Sequence, residues 1–241
     1  VLVFLNHCWL AGNIGSRRLP PGSTPNDLKR LKMTINLTLE RPLTNLDIRV
    51  VGIGGAGCSA LRSLGDSLPD DTRFLGIDTG TGTDSVRNFA EFIQVGDGFG
   101  SGGDAVAAAE LFVDSDGPGE YGKAVTEFVT GADVVIIVTG LGRGSGSGIA
   151  PLVARIAHDS GALTLAAVNL PFEFEGRFRT QSAVQALEIL RNAVDTVIVT
   201  SNNDLLSPVR AAGSMSLVDA FKEADRKVSN SVSTVVSALA V

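Results

Sequence analysis

From Ile48 onward, short apolar runs alternate with longer stretches in which apolar residues recur at helical spacing. The runs predict strands near 48–53, 73–77, 92–95, 133–139, 163–170 and 196–201. The longer stretches predict helices near 56–66, 104–113, 120–130, 148–160, 177–193 and 215–239. The runs at 133–139 and 163–170 are apolar on both faces, as strands buried in a parallel sheet must be. Regular strand–helix alternation means right-handed crossovers and an α/β, Rossmann-like, doubly wound and mainly parallel sheet, with ligands expected at the carboxyl ends of its strands.

The first 47 residues do not share this pattern. Val1–Leu5 is apolar, a Gly/Pro-rich stretch follows from Gly12 to Pro25, and Lys29, Arg30 and Lys32 form a basic cluster. Charges placed after the apolar run exclude a signal peptide. Residues 1–47 are expected to be a disordered or non-native extension, with Met33 as an alternative start, and residues 48–241 to be the folded domain.

Composition narrows the function classes. A net charge of −6 argues against a nucleic-acid partner, and no apolar run is long enough to span a membrane. Two cysteines, Cys8 and Cys58, cannot build a disulfide framework, which suits a reducing, cytoplasmic setting.

The chemistry concentrates in glycine-rich turns at strand ends. Gly52-Ile-Gly54-Gly55-Ala56-Gly57 is a G-x-G-x-x-G between a strand and a helix, and Asp78 closes the next strand. Such a loop cradles phosphate on backbone N–H groups at a helix N-terminus, and an acid at Asp78 would hold a dinucleotide ribose. An NAD(P)-binding oxidoreductase domain is therefore one reading. A second loop, Gly140 to Gly148, carries Gly144, Ser145, Gly146, Ser147 and Gly148, with hydroxyls as extra donors, and a third glycine-rich turn spans Gly96–Gly103. Three such loops favour a nucleotide with two or three phosphates over NAD. Cys58 lies beside a helix N-terminus, where thiols ionise more easily, yet it reads as a small loop residue.

With these motifs the chain resembles the tubulin/FtsZ superfamily, most closely its bacterial cell-division GTPases. Gly142–Gly148 is similar to the family's G-G-G-T-G-[TS]-G, with Arg143 at a glycine position. Pro171-Phe-Glu-Phe-Glu-Gly-Arg177 resembles P-F-x-F-E-G-R, Asn202–Leu206 resembles N-D-R-L-L, and Asp219–Asp225 resembles D-A-F-x-x-A-D. The resemblance implies GTP/GDP as ligand. The phosphates would lie on Gly54, Gly55, Ala56, Gly57, Cys58, Ser59 and Gly144–Gly148. Glu175 would take the ribose hydroxyls, Arg179 the phosphate–ribose region, Asn202 and Asp225 the guanine edge, and Phe221 the base face. Asp78 would hold Mg²⁺ through water. Each has a plainer rival: Phe221 as core in a stripe with Leu217, Val228 and Val232, Glu175–Arg179 as a surface i,i+4 pair, and Asn202 as a turn cap.

Departures gather near the terminal phosphate. Asp78-Thr79-Gly80 stands for N-T-D, Ser59 for an Asn, and the third loop lacks N-P-E. In the family a loop after the central helix supplies catalytic acids to the next subunit, and a second domain follows. Val241 falls inside or just after that helix, so the chain is expected to be a fragment, or else a short paralogue, with no catalytic residue of its own. The resemblance thus implies a GTP-binding domain of a cytoplasmic, division-site protein. In its full-length form that protein associates head to tail into filaments, with other division proteins as partners. A non-hydrolysing filament-capping module is the further alternative.

Overall fold

The structure, a computed structural model, describes residues 2–5, 46–82, 86–114, 119–205 and 216–239. Its strands are β1 (Leu2–Leu5), β2 (Ile48–Ile53), β3 (Arg73–Asp78), β4 (Glu91–Gln94), β5 (Val134–Gly140), β6 (Leu163–Leu170) and β7 (Thr196–Ser201). They form one sheet in the order β1-β7-β6-β5-β2-β3-β4. Strands β2 to β7 run parallel, as the apolar runs predicted, and β1 lies antiparallel on the edge of β7.

That edge strand differs from the extension expected over residues 1–47, because the apolar run meets the otherwise unpaired edge of β7. Met33, the basic cluster, Cys8, Leu206 and the predicted helix start at 215 lie outside the described residues.

The helices are α1 (Gly54–Gly65), α2 (Ala105–Phe112), α3 (Gly119–Val129), α4 (Gly144–Gly148), α5 (Ala150–Asp159), α6 (Arg177–Arg191) and α7 (Leu217–Leu239). Alternation along the strands divides the core in two. On one face Val51, Ile53, Val135, Ile137, Ala166 and Val168 pack under α2, α3, α5 and α6. On the other, Val50, Val134, Ile136, Val138 and Ala167 pack under α1 and α7, which contributes Val228, Val232 and Val236. Two-sided burial explains why β5 and β6 read as continuous apolar runs.

At the amino ends of the strands Arg49, 6% exposed, spans the gap between elements. Its guanidinium donates to both oxygens of Asp47 and to the carbonyl of Phe128 at the end of α3. Hydrogen bonding from Arg49, reinforced by its charge, holds the Asp47 carboxyl below its usual range. Asp133 completes the clasp by accepting from the Asp47 amide at 2.9 Å, which ties β2 to β5.

At the carboxyl ends the elements meet backbone to backbone. A Cβ on Gly57 would sit 2.3 Å from the carbonyl oxygen of Val138, and one on Gly146 would sit 2.2 Å from that of Gly140. Helices α1 and α4 can therefore approach β5 only because these residues lack side chains. Gly55 differs, since a Cβ there would meet nothing within 4 Å.

This contrast predicts opposite outcomes for two similar substitutions. Gly57→Ala should destabilise the fold by about 1–3 kcal/mol through overpacking, whereas Gly55→Ala should cost nothing measurable, both read from urea unfolding midpoints. Equal costs would remove the packing role assigned to Gly57. A third variant, Arg49→Ala, should cost about 1–3 kcal/mol, because it leaves the Asp47 carboxylate and a buried carbonyl without their donor. Unchanged stability would show that the clasp is replaceable by water.

Candidate functional site

Strand order reverses between β2 and β5: β3 and β4 extend to one side of β2, and β6 and β7 to the other side of β5. A cleft opens above this point, where doubly wound sheets bind ligands. The Thr139 hydroxyl bridges its floor by donating to the Ile53 carbonyl at 3.0 Å.

One half of the cleft, a cavity of about 320 Å³, is walled mainly by backbone. Gly54, Gly55 and Ala56 come from the first turn of α1, Gly144, Ser145 and Gly146 from α4, and Gly100–Gly103 from the third glycine-rich turn. Neither helix start is capped by a side chain, and neither carries an acid in its first turn. The free N–H groups of α1 therefore face the cavity with the positive end of the helix dipole behind them, an arrangement suited to an anion.

The sequence predicts the second glycine-rich stretch as a tight loop, but Gly144–Gly148 coils into a helical turn that runs on through Ile149 into α5. The cause is steric. Gly146 sits over the Gly140 carbonyl, and a Cβ on Gly148 would lie 2.0 Å from the carbonyl of Ala105, so the turn beds directly onto β5 and α2.

The hydroxyls in this stretch brace the loop. Ser145 Oγ donates to Asp78 Oδ1 at 2.8 Å, and Ser147 Oγ accepts from the Gly142 amide at 2.8 Å. Asp78, buried and lining the same cavity, also accepts from the Thr79 amide. Its Oδ1 thus ties β3 to the second loop.

The structure places Gly57, Cys58, Ser147 and Gly148 behind the cleft lining rather than on it. The Cys58 side chain is fully buried, with its thiol toward the Gly52 carbonyl. Burial, reinforced by the Asp78 carboxylate, pushes that thiol up to about 12, opposite to the easier ionisation expected at a helix start. Apolar surroundings outweigh the helix N-terminus.

The other half of the cleft is lined by Ala56, Gly140, Asn169, Pro171, Glu175, Asn202, Phe221 and Asp225. Phe221 is half-buried and meets Phe172 edge-on at 5.4 Å, against Ala220 and Ala224. The stripe that made it a core candidate is divided: Val228 and Val232 lie under the sheet, while Phe221 reaches the cleft. One turn on, Asp225 accepts from Ser59 Oγ at 2.7 Å, which joins α7 to the first loop. Burial raises the Asp225 carboxyl to about 6, against the opposing hydrogen bond from Ser59.

Asn169 and Asn202 each hold a buried side-chain oxygen with no hydrogen-bond partner. Two orphaned acceptors beside a carboxylate suit a ligand edge that presents N–H donors. Asn169 was missed by sequence reasoning; a lone amide at the end of the apolar run of β6 was its signal.

Glu175 caps the Phe172 amide at 2.9 Å and accepts from Arg179 at 2.5 Å, so the i,i+4 pair forms. Arg179 lines neither half of the cleft and faces an outer groove with Phe178 and Gln185. Arg143, also unassigned from sequence, lines both halves.

Among the described residues no three His, Cys, Asp or Glu side chains gather to hold a metal ion, and no helix is long and apolar enough to cross a membrane.

Comparison with known proteins agrees with this arrangement. Residues 119–209 match the family model "Tubulin/FtsZ family, GTPase domain". An FtsZ of M. jannaschii, solved as an empty dimer, superposes with a TM-score of 0.71 at 31% identity, over 89% of this chain and 59% of that one. A mutant form of M. jannaschii FtsZ gives 0.68 at 30%, over 88% and 60%. CetZ1 of Haloferax volcanii, a GDP-bound monomer, shares the fold at 0.65 and 21% identity, over 77% and 58%. The chain spans about three-fifths of the length of these relatives. The described domain thus shares its fold with the tubulin/FtsZ GTPase domain, and residues 119–209 match that family's model.

Proposed function

We propose that this domain binds GTP and GDP, and that it serves a filament-forming cell-division protein acting in the cytoplasm at the division site. The observation that carries the nucleotide reading is one cleft with two chemistries. Uncapped helix starts and glycine backbone line one half, and Phe221, Asp225 and two orphaned amide oxygens line the other.

In this reading the phosphates lie on the amides of Gly54–Ala56 and Gly144–Gly146. The base stacks on Phe221, and Glu175 meets the ribose. Guanine presents a ring N–H and an exocyclic amine side by side, so Asp225, helped by Asn202, accepts from both; adenine offers no such pair. Mg²⁺ fits as a cation held mainly by phosphate oxygens and water, with Asp78 the nearest carboxylate. Such an ion would neutralise phosphate charge.

The oxidoreductase alternative is disfavoured by the second helix start on the same cavity, Gly144–Gly146 facing Gly54–Ala56, since a dinucleotide uses only one glycine-rich turn. Head-to-tail self-association and contacts with other division proteins are proposed by likeness to the FtsZ structures, one of which is a dimer. On that reading hydrolysis takes place where two subunits meet.

Calorimetric titration should show GDP and GTP binding well above ATP and NAD⁺; tighter NAD⁺ binding would overturn the assignment. Asp225→Ala should weaken GDP by about 1–3 kcal/mol and weaken inosine diphosphate less, since inosine lacks the amine. Equal losses for the two bases would mean that Asp225 does not read the amine.

Affinity should also depend on pH. The free carboxyl of Asp225 takes up a proton near 6, whereas guanine's donors favour its ionised form. Guanine-nucleotide affinity should therefore hold above that pH and fall below it, approaching tenfold per unit. A flat profile from pH 5 to 8, measured by titration, would contradict the role.

A further inference from the structure

We propose that Arg143 is a phosphate clamp supplied by the second loop, gripping the polyphosphate where it leaves the ribose. This rests on the nucleotide reading above and adds a residue to it.

The loop leaves this position as the site for a side chain. Gly142 has φ +99°, and a Cβ there would lie 2.8 Å from the carbonyl oxygen of Arg179. A Cβ on Gly144 would fall 1.8 Å from Ser101 Oγ. Neighbours on both sides are thus closed by contact, while Arg143 between them has extended backbone and a side chain 63% exposed. It lines the glycine-walled half and the Phe221–Asp225 half alike, so it stands at their junction.

Charge balance leaves its guanidinium available. The nearest acid is Glu175, with 3.8 Å between Arg143 Nη2 and Oε2, the outer edge of an ion pair. Glu175 already pairs with Arg179 at 2.5 Å, so two cations face one carboxylate. Asp78, Glu175 and Asp225 all line the cleft, and Arg143 is the one basic side chain among the described residues that line either half. A polyphosphate entering beside three carboxylates needs a compensating charge. A guanidinium offers planar, paired N–H donors matched to phosphate oxygens and stays charged at every working pH.

The test compares wild type, Arg143→Gln and Arg143→Lys by titration with GTP, GDP and guanosine at low and moderate salt. Arg143→Gln should lose about tenfold or more for GTP and GDP, with guanosine unchanged within about twofold. Its affinity for GTP should also depend less steeply on salt than that of wild type. Arg143→Lys, which keeps the charge without the fork, should fall between the two. Thermal denaturation of the free proteins should coincide, since the side chain is exposed. GTP binding unchanged in Arg143→Gln, or guanosine weakened as much as GTP, would overturn the clamp. A wild type that prefers ATP to GTP would instead overturn the guanine reading, and the Arg143 comparison would then be made with ATP.

Discussion

Everything at the carboxyl end of the sheet depends on helices α1 and α4 lying directly on the backbone of β5. Gly57 faces the carbonyl of Val138 and Gly146 that of Gly140, each at a distance no side chain could share. This contact brings the first turns of two helices to the point where strand order reverses. Uncapped N–H groups then converge on one cavity rather than facing solvent separately. The hydroxyls of Ser145 and Ser147 reinforce the arrangement by tying the second loop to Asp78 and to the Gly142 amide. Rigid backbone donors, placed before any ligand arrives, cost little ordering on binding.

The second half of the cleft is assembled by side chains from distant parts of the chain. Ser59 on α1 holds Asp225 on α7, across 166 positions of sequence. Asn169 ends β6, and Asn202 follows β7. Their unpartnered oxygens and the raised carboxyl of Asp225 are destabilising features in the free protein, since buried polar groups without partners cost free energy. A ligand edge rich in N–H donors relieves all three together. That links ligand selectivity to the cost of burying these three groups.

The strands and helices were legible in the sequence because two-sided burial leaves continuous apolar runs and one-sided burial leaves helical spacing. The run 133–139 and the stretch 177–193 both appear close to where the pattern puts them. Glycine was harder to interpret. Gly55 and Gly57 are two residues apart in one motif, yet one borders the cleft and the other packs against β5, a distinction that rests on the neighbouring strand. For the same reason the stretch 144–148 looked like a loop: glycine-rich sequence has low helix propensity, and only contact with β5 and α2 makes it coil. Cys58 reads as a small residue rather than a reactive thiol, and its burial, invisible in the motif, outweighs the helix terminus. Asn169 and Arg143 escaped because a single amide in a strand, or a single arginine in a glycine loop, declares no role until both halves of the cleft are seen.

The central claim is that one guanine nucleotide spans both halves of this cleft. Crystallography of the chain grown with GDP tests it most directly. The base should lie against Phe221 with its N–H edge on Asp225, and the phosphates on the amides of Gly54–Ala56 and Gly144–Gly146. Density for the nucleotide elsewhere, or a base turned away from Asp225 with Ser59 still donating to that carboxylate, would contradict it.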